Sequence, residues 1–67
     1  MEYLFTASYN EMEARLVFQS FGICMQARKV LRAKGVQCGE VSTHLGQLNR
    51  SAAELEIATK FVAFALR

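Results

Sequence analysis

The sequence predicts an α+β domain in which helix predominates: a short N-terminal strand, one long helix, a short irregular or strand segment, and a C-terminal helix. Three observations lead there. Residues 2–9 alternate in character, the stretch from Asn10 to Lys34 has helix-start signals at one end and helix-stop signals at the other, and Ser51 opens a run of helix formers. No internal repeat and no proline divides the 67 residues, so the chain, which begins with Met1, reads as one complete small domain spanning 1–67.

The strand rests on period two. Tyr3, Phe5, Ala7 and Tyr9 fall on one side and Glu2, Leu4, Thr6 and Ser8 on the other, with aromatics that favour a pleated surface. Asn10 is then placed as the cap of a helix whose first turn holds Glu11 and Glu13, acids suited to the positive end of the dipole. That helix is read to about Lys34, because Arg28, Lys29, Arg32 and Lys34 suit its negative end and Gly35 offers the left-handed stop. Residues 36–49 fit either a short strand or a short helix. Ser51 with Glu54 forms a capping box, and the helix that follows is read to about Leu66, with Glu56 and Lys60 paired one turn apart. Within it, 61–66 is apolar at every position and also fits a buried strand.

Composition narrows the function classes. At 52% hydrophobic and 21% charged, the chain is too apolar for a disordered tail. Two cysteines, Cys24 and Cys38, provide neither a disulfide scaffold nor a zinc ribbon. Without a leader pattern, their thiols point to a reducing, cytoplasmic setting. The longest uncharged run, Leu16 to Ala27, is shorter than the ~20 residues a bilayer span needs, so no membrane role is expected. A net charge of +2 is well short of the dense field of a dedicated nucleic-acid binder.

Catalytic chemistry finds little support. Cys38 and His44 are types that ligate metals or form nucleophile pairs, but four local ligands or an orienting third group are absent. Phosphate loops, paired-carboxylate sites and nucleophile elbows are also missing, so the chain reads as a non-enzyme with no cofactor and no metal.

What stands out is surplus apolar surface. On the long helix read from Asn10, a polar stripe of Glu11, Arg15, Gln19, Gly22, Gln26 and Lys29 separates two apolar flanks: Met12, Leu16, Ile23, Ala27 and Val30, and opposite them Phe18, Phe21 and Met25. Phe18, Phe21 and Met25, rimmed by Arg28 and Arg32, have the aromatic, methionine and arginine composition of interface cores. A lone strand also needs a pairing partner. Both needs predict a small regulatory protein that binds a protein partner, a second copy, or both. Size associates such chains with inhibitors, antirepressors and modulators carried by phages and other mobile elements.

An alternative begins at Glu40-Val41-Ser42-Thr43-His44-Leu45-Gly46, followed by Gln47-Leu48-Asn49-Arg50-Ser51-Ala52-Ala53. This stretch resembles the helix-turn-helix of bacterial transcriptional regulators. The resemblance covers about a quarter of the chain, and implies a nucleic-acid partner, with Asn49, Arg50 and Ser51 facing DNA. Glu54 and Glu56 oppose phosphate approach there, and the basic cluster lies earlier in the chain. The order strand, helix, helix also fits a ribbon-helix-helix dimer, although its strand has no basic residue to read a groove.

Overall fold

The computed structural model describes all residues, Met1–Arg67. Its elements run β1 (Glu2–Tyr9), β2 (Met12–Phe18), α1 (Phe21–Ala33), β3 (Gln37–Cys38), β4 (Ser42–His44) and α2 (Ala52–Ala65). Helix accounts for 40% of the chain and strand for 30%, so the fold is α+β built on an antiparallel sheet and is not predominantly helical.

The correction lies in residues 10–20, read above as the first half of a helix. Asn10 caps nothing: with Glu11 it forms a two-residue turn in which both have positive φ, 49° and 64°. That conformation matches the right-handed twist of a hairpin, and β1 and β2 pair in register from Tyr3 with Phe18 to Tyr9 with Met12. Along β2, Met12, Ala14, Leu16 and Phe18 share the inward face and Glu13, Arg15 and Val17 the outward one, which is strand periodicity. The helix begins ten residues later than read, where Ser20 Oγ accepts the Ile23 amide and caps α1. Its end falls where the sequence placed it. Gly35 has φ 91°, its N–H reaches Arg32 O, the Val36 N–H reaches Leu31 O, and the buried side chains of Val36 and Leu31 seal the turn.

β1 is the centre of the sheet. β2 lies along one edge, and β3 and β4 share the other, β3 opposite Ala7 and Ser8 and β4 opposite Glu2 to Leu4. Between them the Gly39 N–H still reaches Thr6 O at 2.9 Å. Residues 36–49, open between strand and helix in sequence, are thus two short strands and a connection. The first strand needs no outside partner, since the chain itself pairs it on both sides.

Both helices cover the face that carries Phe5, Ala7, Ala14 and Leu16. Cys24 and Leu31 from α1, Val36 from the loop, and Ala58 and Phe61 from α2 complete a core of nine buried residues. Residues 61–65 belong to α2, so the apolar run is helical there.

β4 and the start of α2 lie at opposite edges of the sheet, so residues 45–51 cross it beside Glu2 and Val17. Arriving at the far edge, α2 is fastened to the backbone of β2. Arg15 N–H donates to Glu54 Oε2 at 2.9 Å, and Arg15 O accepts from Arg50 Nη1 at 2.9 Å. The Arg15 guanidinium grips the same carboxylate through Nε and Nη2, both at 2.8 Å, and reaches Asn49 O with Nη2. Only half of the expected capping box forms. Ser51 Oγ accepts the Glu54 amide, while the Glu54 carboxylate turns to Arg15 instead of back to Ser51. At the other end, Lys34 Nζ donates to the carbonyls of Phe64 and Arg67, tying α2's end to α1's.

Two outcomes follow. Glu11 pays the left-handed penalty that glycine avoids, so Glu11→Gly should stabilise the fold by about 0.5–1 kcal/mol in urea denaturation. Hydrogen bonds from the Arg15 guanidinium, helped by the Arg15 N–H, lower the Glu54 pKa to about 2 from its ordinary 4.5. The native state therefore favours the ionised form: the stabilisation is complete above pH 4.5 and is lost as pH falls toward 2. Urea midpoints measured through that window should fall less steeply for Glu54→Gln than for the parent chain.

Candidate protein-binding surface

α1 packs onto the sheet through Cys24 and Leu31 and leaves two flanks that differ in chemistry. At 3.6 residues per turn, Phe21, Met25, Arg28 and Arg32 fall on the flank toward β3 and β4, and Ile23, Ala27 and Val30 on the flank toward α2.

The flank toward α2 is apolar. Between the helices lies a groove of about 250 Å³, lined by Leu16, Phe18 and Leu31 beneath and by Ile23, Val30 and Val62 at its sides, with Leu66 beside them. Gln26 is the single polar residue that lines it. Ile23 is 62% exposed and Leu66 82%, far more than their neighbours in the core beneath.

The other flank is mixed. Phe21 is 54% exposed, meeting Tyr3 edge-on with ring centroids 5.5 Å apart, and Met25 is 39% exposed. Further along, Arg28 Nε donates to Gly39 O at 2.8 Å, which steadies the guanidinium over the β3–β4 segment. Arg32 is exposed, and Lys29 stands beside both arginines.

Of the five residues singled out in sequence for partner binding, the structure aligns Phe21, Met25, Arg28 and Arg32. It separates Phe18, which belongs to β2 and stacks on Phe5 with centroids 5.9 Å apart. Phe18 forms part of the groove floor instead, on α1's other side. Lys29 lies outside the five residues that the sequence singles out for partner binding, and so do Val62, Ala65 and Leu66 of the groove. The lack of acid in 21–33 marks Lys29; the groove depends on how two helices distant in sequence pack together, which no local pattern encodes.

The three residues considered for DNA lie elsewhere. Ser42–His44 is a strand and no helix forms between it and α2, so the paired helices that the resemblance implies are not built. Asn49 and Arg50 belong to the crossing that fastens α2 to β2, and Ser51 is the cap of α2. A ribbon-helix-helix arrangement fails as well, because its single strand is here the middle of a four-stranded sheet.

Cys38 and His44 do not meet. They pair with Ala7 and Glu2 of β1, positions about 16 Å apart along a strand and on opposite faces. Burial pushes the thiols of Cys24 and Cys38 above their ordinary range, against the pull of nearby Arg28, which is contrary to what an activated nucleophile requires. No group of three histidine, cysteine or acidic residues is placed to hold a metal, and no helix is long and apolar enough to cross a membrane.

No family model matches the sequence, and no curated protein and no solved structure is significantly similar to the chain.

The packing separates the two phenylalanines energetically. Phe18→Ala removes a ring stacked against the core and should cost about 3 kcal/mol, whereas Phe21→Ala loses one edge contact and should cost roughly 1. Urea unfolding of the two variants checks the order.

Proposed function

We propose that this chain is a small, non-enzymatic regulatory protein that acts by seating part of another protein in the groove between α1 and α2. The observation that carries the reading is the groove's lining, apolar except for Gln26 and open to solvent between two helices that otherwise pack on a closed core. Covering an aliphatic side chain in such a place yields ~1.5–3 kcal/mol, so Ile23, Val62 and Leu66 together offer a meaningful share of a binding energy. An amphipathic helix laid into a groove is the recognition mode that suits this shape. The occupant is a different protein or a second copy of the chain, and occlusion of its surface is the regulatory act. Roles as an inhibitor, antirepressor or modulator are all forms of that act.

Light scattering on the purified chain and on its reconstituted complexes tests the reading, using Ile23→Asp and Val62→Asp as controls. Both positions are exposed, so the variants should stay folded by circular dichroism. They should lose at least about tenfold in affinity for whatever the parent chain binds, through the buried charge. A parent chain that stays monomeric and forms no complex, or variants that bind as the parent does, would overturn it.

A further inference from the structure

We infer that the stripe Phe21, Met25, Arg28 and Arg32, with Lys29 beside it, is a second docking surface, and that its occupant is an acidic segment of a protein partner with apolar residues at one end. The stripe lies on the flank of α1 away from the groove, so this inference goes beyond the reading above and fails or holds separately from it.

Charge identifies the occupant. The chain makes two ion pairs, Arg15 with Glu54 and Lys60 with Glu56. Lys34 is held by carbonyls, Arg50 is spent on the Arg15 carbonyl, and Arg67 lies over the Phe64 ring. Arg28, Lys29 and Arg32 are left without a carboxylate partner on a helix that contains no acid. They lie along the solvent side of α1 beside Gly22, Met25 and Gln26. With Arg28 Nε committed to Gly39 O, its two terminal nitrogens are steadied for a carboxylate approaching end-on. Phe21 and Met25 extend the same line with apolar contact, giving a stripe about 16 Å long, which is three turns of a partner helix or about five extended residues.

The alternatives fit less well. A second copy meeting this stripe across a two-fold axis would bring the same acid-free helix, so Arg28 and Arg32 would find no carboxylate on it in either helix direction. A helix that lies on a lipid surface divides apolar from basic around its circumference, whereas here the division runs along the stripe, so a flat bilayer would engage only one end. For a nucleic acid, Arg28 to Arg32 is a track of about 6 Å, too short for the series of phosphate contacts that supplies affinity, and Phe21 and Met25 would have no role.

Fluorescence anisotropy with a labelled peptide of about 14 residues, glutamates at one end and leucine and phenylalanine at the other, tests the inference on the intact chain. A matched peptide with lysine in place of glutamate is its control. The acidic peptide should bind and the basic one should not, and binding should weaken at least about tenfold between roughly 50 and 500 mM salt. Arg28→Glu combined with Arg32→Glu should abolish binding of the acidic peptide and gain binding of the basic one, a reversal that mere loss of structure does not produce. Ile23→Asp should leave acidic-peptide binding intact. Equal binding of both peptides, an unaltered affinity after charge reversal, or binding lost only with Ile23→Asp would overturn the proposal. So would a preference for phosphatidylserine vesicles or a short DNA duplex over the acidic peptide.

Discussion

A strand at the rim of a sheet exposes backbone groups that seek partners, and in this chain the rim of β2 is answered at Arg15. The amide goes to Glu54, the carbonyl to Arg50, and the guanidinium returns to hold the same glutamate in two places. These bonds fasten the start of α2 where the connection from β4 delivers it. Once that end is fixed, Ala58 and Phe61 are swung over the sheet into the core, and Lys34 receives the far end. These groups are only part-buried, so removing one partner costs the bonds it makes while water reaches those left behind. The same fastening also blunts an edge that would otherwise invite another strand.

How much of this was legible depends on where the information resides. β1 was readable because its alternation is strict and both of its faces are distinct. The end of α1 was readable because Gly35 and its flanking residues form a self-contained motif. β2 was not, since Met12, Glu13, Ala14, Arg15 and Leu16 are all good helix formers and their alternation is only four inward residues long. The turn was hidden by Glu11 in a place where glycine is the usual marker. Here tertiary pairing prevailed over propensity. The two strands after α1 are too short to carry a period and exist only because β1 offers them an edge.

The surface was legible in part for a related reason. Phe21, Met25, Arg28 and Arg32 follow helical spacing within α1, and that spacing survives the shift of the helix start. Phe18 was grouped with them on the assumption that the helix already ran through it. Placing it in β2 turned a candidate anchor into a core-facing ring and exposed the interhelical groove above it. The apolar excess read from composition is therefore divided. A share closes the core, a share lines the groove, and the remainder stands on α1 beside the unpaired cations.

The sheet's middle strand is also the first to be made. As the polypeptide leaves the ribosome, β2 follows within a few residues and zips onto one side of β1, while the other side gains β3 only at residues 37–38 and is completed by β4 at residue 44. Until α1 has emerged, at residue 33, the nascent hairpin carries an open hydrogen-bonding rim and the apolar face of Phe5 and Leu16 without a helix over it. Crowded polysomes would bring such hairpins together, so a window for misassembly opens during translation, before any native partner has a complete surface to meet.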